Sequence, residues 1–353
     1  MDGKLSKKLS VYNLVFTICI VVFHSKNSYE LFSSTQNSVV GALYDFYYTF
    51  GDISLGVFFM ISGYLFYLGI NNMCRLKEKV KGRVNTLVVP FLVWNALMLV
   101  YEVAYSFYSG SLSLNIRDVV AGFTYDPFDG PLWYMFTLIV LMLFSPLLVK
   151  LKNYPIVFKV GVGATIVFAF LWSVLAEEQL DDNGLLHWVS ETINYLPLYV
   201  IGAYFGALKS DLVVQEKYNK KVISVISAVI ITLSMMYLIF FDVGIQWLNW
   251  VLFHILPLAI WLLVSSEHFE KIKITFPLKA TFFVYAMHML LIGITNTILF
   301  KIFGYNNLPW VLAIVLHFAQ VAGIFAFCTC FAFVGKKILP QKLFATLSGG
   351  RVK

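Results

Sequence analysis

Charge is what this sequence has least of. Asp, Glu, Lys and Arg together make up 13% of its residues and 59% are hydrophobic, whereas a soluble domain carries roughly 25% charge. A chain so poor in charge cannot clothe a water-facing surface, so a soluble fold is excluded. Cysteine is also scarce: Cys19, Cys74, Cys328 and Cys330 are the four, none in a CxxC or metal-ligand spacing. That excludes a disulfide scaffold and a thiolate metal centre, and leaves reduced, structural thiols. No internal repeat and no low-complexity tract interrupts the chain, so residues 1–353 are expected to form one membrane domain without an appended soluble domain. A cleavable signal peptide is missing too. The first apolar run has no small-residue cleavage site and more runs follow it, which predicts a retained first helix.

Long apolar runs are what the sequence has instead. A membrane-crossing helix needs about 20 mostly apolar residues. About ten stretches meet that need, near residues 10–25, 50–70, 85–107, 132–149, 156–176, 194–208, 222–241, 247–265, 280–300 and 310–334. The expected fold is therefore an all-α polytopic membrane protein. The formal net charge of +7 comes from Lys and Arg in short loops between apolar runs, not from a basic face, which argues against nucleic acid as a partner. With the N-terminus placed in the cytoplasm, 23 of the 26 basic residues fall on the cytoplasmic side. One miscounted span would invert the pattern beyond it. The positive-inside rule therefore predicts both termini in the cytoplasm.

Polar groups inside the apolar runs point to function. His24 closes the first run, VYNLVFTICIVVFHS, roughly 20 Å of helix beyond Ser10. A neutral imidazole there either caps the helix at the membrane surface or takes a proton from a hydroxyl as a general base. His288, in TFFVYAMHMLLIG, stands roughly 13 Å of helix past Lys279, a depth at which a histidine faces the bundle interior or a wet cavity. Asp45 and Asp52 lie at the entrance of the second span on the same side as His24, and either could orient its imidazole. Ser62-Gly63 provides small residues, for close helix approach or for a narrow ligand passage. The loop RLKEKVKGR (Arg75–Arg83) has the densest basic charge and suits either a topology signal or a dock for a phosphorylated ligand. Glu102 ends the third span. Trp133 re-enters the membrane after an outer loop, an interfacial position. The histidines and carboxylates are too dispersed for a metal site.

Five motifs in order give these features a family resemblance: His24-Ser25, GVFFMISGYL at Gly56–Leu65, Arg83 followed by VVPFLVW at Val88–Trp94, PLWYMFTLIVL at Pro131–Leu141, and VYAMH at Val284–His288. The chain resembles the acyltransferase 3 family, membrane O-acyltransferases of bacteria, along nearly its whole length. The resemblance implies a multi-pass protein of the bacterial inner membrane. It implies an acyl-CoA donor, acetyl-CoA or a longer acyl-CoA, taken from the cytoplasm, and an acceptor hydroxyl on a surface polysaccharide or its lipid-linked precursor. His24 matches the family's catalytic residue. Ser62, Gly63, Lys79, Lys81 and Arg83 match or flank its donor-binding segments. Two donor-binding positions depart from the pattern: Asn13 stands where many members have an arginine, and Thr86 stands where a second loop arginine is usual, which thins the charge for the donor, so that either Lys79 and Lys81 compensate or the donor differs. A flippase for lipid-linked sugars, with no covalent chemistry, is the rival expectation. Its polar residues would line a path, yet the sequence lacks the internal two-fold such transporters often carry.

Overall fold

The computed structural model describes residues 3–25, 38–109, 115–175, 184–207, 219–240, 245–303 and 308–350, and among these there is no strand. In chain order the helices are α1 (Gly3–His24), α2 (Ser38–Tyr67), α3 (Met73–Arg83), α4 (Val89–Ser109), α5 (Ile116–Gly122), α6 (Trp133–Leu143), α7 (Ser145–Leu151), α8 (Pro155–Leu175) and α9 (Gly184–Ala207). They continue as α10 (Lys220–Phe240), α11 (Gln246–Leu263), α12 (Phe276–Lys279), α13 (Thr281–Phe303), α14 (Trp310–Ile338) and α15 (Gln341–Leu347).

Eight of the described helices are long and apolar enough to cross a membrane. A ninth crossing arises if the bent pair Gly130–Leu143 and Ser145–Leu151, which meet at 54°, forms one span. Pro146 explains the bend, because it supplies no N–H to the preceding turn and its ring clashes with the carbonyl four residues back. The expected span at 194–208 falls in α9. That helix is 24 residues long, about 36 Å and enough to cross. Its first half carries Ser190, Glu191, Thr192 and Asn194, which takes it out of the plainly apolar class. The single expected span at 85–107 is part of a longer rod. Here α3 runs through a π segment, Val84–Val88, into α4, so the basic loop is itself helical.

The chain divides into two compact units, one comprising Met1–Leu55, Lys220–Gly244 and Leu256–Lys353, the other Gly56–Asn219 and Ile245–Ile255. The first is built on α1. Leu9, Phe16 and Val21 of α1 and Phe282, Phe283 and Val284 of α13 are buried in its core. Tyr12 packs edge-on against Trp261 with ring centroids 5.6 Å apart, and its hydroxyl donates to the Ile260 carbonyl at 2.9 Å. Lys8 is 3% exposed. Its ammonium donates to the carbonyls of Trp261 (2.6 Å) and Val264 (2.7 Å) and sits 4.1 Å from the Trp261 ring centroid. These carbonyls end α11, whose last turn has no intrahelical donor, and a cation there also meets the negative end of the helix dipole.

The second unit is held by a close crossing of α2 and α9. A Cβ on Gly63 would fall 2.1 Å from the Tyr199 carbonyl oxygen, and one on Gly202 would fall 2.0 Å from that of Met60. Only glycine at both positions lets the two backbones touch. Phe59, Met60, Tyr64, Leu132, Met135, Phe158 and Leu198 fill the core around the crossing. The end of α2 is closed as α11 is in the first unit. Lys79 donates to the carbonyls of Leu65, Phe66 and Leu68 at 3.0, 3.0 and 2.6 Å. Lys152 binds the Ile70 carbonyl at 3.0 Å in the turn that follows.

Candidate active site

In the first unit, α1 delivers His24 to the end of an apolar helix and α13 delivers His288 beside it. The two imidazole centroids are 5.2 Å apart, with the rings inclined by 48°. His24 is partly exposed and His288 fully buried. Phe23 meets His24 edge-on at 4.9 Å. The position of α2 here is set by Gly51: a Cβ there would fall 2.5 Å from the Phe23 ring, so the helix approaches α1 more closely than an alanine permits. Asp52 follows that contact directly and is partly exposed. Cys19 lies in hydrogen-bonding reach of Ser54, one turn deeper along both helices. Asp45 belongs to α2, but its side chain is outside the described residues.

The hydrogen bonding of His288 fixes what its ring can offer. Nδ1 lies 2.7 Å from the Tyr285 carbonyl oxygen. A carbonyl only accepts, so Nδ1 carries the hydrogen and Nε2 of the neutral ring presents a lone pair. Nε2 makes no hydrogen bond to any described residue. Sequence reading placed both histidines in the membrane but did not bring them together. Asn13, the other α1 position singled out, is partly exposed, roughly 16 Å along the helix from His24.

In the second unit a different polar group forms. The Ser62 and Tyr134 hydroxyls are 2.6 Å apart, and Tyr134 donates to the Phe58 carbonyl at 3.1 Å. Arg83 extends inward, its guanidinium carbon 6.0 Å from the Phe66 ring centroid, and Tyr134 and Tyr199 are close enough to interact with its charge. Ser62 and Arg83, expected together on a donor-binding surface, thus share the neighbour Tyr134. Sequence reading missed that tyrosine although it follows Trp133 in the motif PLWYM. Trp133 lies in an aromatic group with Phe59 (6.0 Å) and Tyr195 (6.1 Å). Gly63 is filled by the α9 backbone, and Lys79 is held by the end of α2. Lys81 is exposed. Thr86, at a departure from the family pattern, bonds the Gly82 carbonyl of its own helix at 3.1 Å. Glu102 is partly exposed on α4 and interacts with Asp126 of the following loop.

The same unit contains a carboxyl that sequence reading passed over. Asp129 is 1% exposed, just before the turn Gly130–Leu132, and neither of its oxygens bonds a described residue. Burial pushes its carboxyl up to about 8, because removal from water disfavours the charged form. Among the described residues no group of three His, Cys, Asp or Glu side chains could hold a metal ion.

Comparison with known proteins adds one match. The sequence pattern of the acyltransferase 3 family, described as an acyltransferase domain, matches residues 14–332. No curated protein and no solved structure matches the chain.

Proposed function

The chain belongs to the acyltransferase 3 family, and from that membership we propose that this multi-pass membrane protein is an O-acetyltransferase of the bacterial inner membrane. It takes acetyl-CoA from the cytoplasm and esterifies a hydroxyl of a surface polysaccharide or of its lipid-linked precursor. The supporting observation is His24, an imidazole at the end of an apolar helix with a second, buried imidazole against it.

The chemistry follows from that group. His24 removes the proton of the acceptor hydroxyl as its oxygen attacks the thioester carbonyl. A tetrahedral oxyanion forms and collapses, the carbon–sulfur bond breaks, and the departing thiolate recovers the proton from the His24 imidazolium. The products are the ester and free coenzyme A. The donor's phosphates are the partners of the basic residues on the cytoplasmic side, among them exposed Lys81 and inward-reaching Arg83. With Lys79 held by the end of α2, these two carry more of the donor contact than charge counting suggests.

The test is the surface glycan itself. Cells with and without the gene, complemented with wild type or His24→Ala, are compared by proton NMR and mass spectrometry of the purified polysaccharide. The proposal expects an ester signal that vanishes on deletion and returns with wild type alone. An unchanged ester pattern with reduced glycan export would replace it with the flippase reading.

A further inference from the structure

The geometry points to His288 as a residue that positions His24. This rests on the reading of His24 as the base, and adds a partner that neither the family match nor the motif order assigns.

Three observations carry it. The rings are 5.2 Å apart between centroids, a separation at which nitrogens on the facing edges of two imidazoles can lie at hydrogen-bonding distance, about 3 Å. The orientation of His288 is already fixed, because its Nδ1–H is bound to the Tyr285 carbonyl of its own helix at 2.7 Å. Its Nε2 lone pair is completely buried and has no partner among the described residues. A buried acceptor left unsatisfied is costly. An N–H of His24 satisfies this one.

The consequence for the reaction is specific. When one nitrogen of His24 donates to Nε2 of His288, the other is left as the unprotonated nitrogen that faces the acceptor hydroxyl. The tautomer is thereby selected, as a carboxylate selects it in a Ser-His-Asp triad, here by a neutral ring. Once His24 has taken the hydroxyl proton it is an imidazolium, and its bond to Nε2 becomes charge-assisted and stronger. His288 neither gains nor loses a proton. It holds His24 before the transfer and stabilises its charged form during it.

The experiment compares purified wild type with His288→Ala, His288→Gln, His288→Phe, His24→Ala and the His24→Ala/His288→Ala double variant, at matched protein in lipid vesicles. Transfer from labelled acetyl-CoA to purified polysaccharide is followed. His288→Ala is expected to lower kcat about 10- to 100-fold with both KM values little changed, the signature of lost transition-state stabilisation. Gln supplies an acceptor oxygen and restores a measurable part of kcat; Phe fills the space and does not. The double variant is expected to be no slower than His24→Ala alone, because residues acting as a unit are non-additive. Rescue by Phe rather than Gln would overturn the assignment and make the site one of packing. So would a His288→Ala enzyme with wild-type kcat. Full activity in His24→Ala sinks the base itself, an outcome separate from any result at position 288.

Discussion

The two units share one way of using a buried lysine and differ in the polar group each leaves over, an imidazole in the first and a carboxyl in the second. In the second, several positions singled out are committed to the fold: Lys79 closes the last turn of α2, Ser62 is tied to Tyr134, and the space beside Gly63 is occupied by the Tyr199 backbone, whereas the buried carboxyl of Asp129 bonds no described residue. In the first, Lys8 is equally committed, closing the end of α11. Nε2 of His288, buried beside the His24 ring, has no such role: it bonds no described residue. Burial and polarity do not by themselves mark a functional residue. A buried lysine that caps a helix is structural, and a buried imidazole whose lone pair bonds no described residue, beside a second imidazole, is poised for chemistry under the proposed function.

Substitutions can break or sharpen that contrast. The largest effect is expected from Gly63→Val. Its side chain would meet the α9 backbone, which cannot move aside as a side chain can, so the cost should exceed the 1–3 kcal/mol typical of overpacking. Detergent-extracted protein should lose its folded peak in size-exclusion chromatography. Lys8→Met and Lys79→Met come next. Each strands carbonyls at a helix end, at about 1–3 kcal/mol, and each should lower the thermal midpoint. A donor KM that changes at Lys79→Met with no loss of stability would move Lys79 from the structural group to the binding group.

Asp129 gives a smaller effect with a definite sign. Its folded value of about 8 lies above the roughly 3.9 of an unfolded aspartate. Between these values the folded state holds a proton that the unfolded state has released. The contribution of Asp129 to stability is therefore greatest below about pH 4 and falls as pH rises towards 8. Asp129→Asn should flatten that decline and raise the thermal midpoint at pH 7.5, as followed by melts across pH 5 to 8. The smallest structural effect is expected at Lys81, an exposed residue whose replacement by Ala should leave stability within about 0.5 kcal/mol. Under the proposed function the same change raises the KM for acetyl-CoA.

The sequence made the membrane architecture readable because hydropathy over 20 residues is a strong local signal, and eight of the expected spans appear as single long, apolar helices. The bent pair at Pro146 and the polar first half of α9 were less readable, since a bend and a partner-dependent helix are decided by packing. The candidate site was half readable. His24 announces itself at the end of an apolar run. Its proximity to His288 does not, because the two lie near opposite ends of the chain and only the packing of α13 on α1 joins them. The role of Lys79 was hidden for a related reason: in a run of basic residues, nothing local tells a helix cap from a phosphate ligand. Asp129 carried no signal at all, being one aspartate in a loop that has another.

The most direct measurement is the rate of ester formation by purified His24→Ala protein in vesicles, supplied with labelled acetyl-CoA and polysaccharide, beside wild type at equal folded protein. The account predicts ester from wild type and a rate at least about 100-fold lower from the variant, the least that a positioned general base contributes. Ester formation by His24→Ala at the wild-type rate would contradict it.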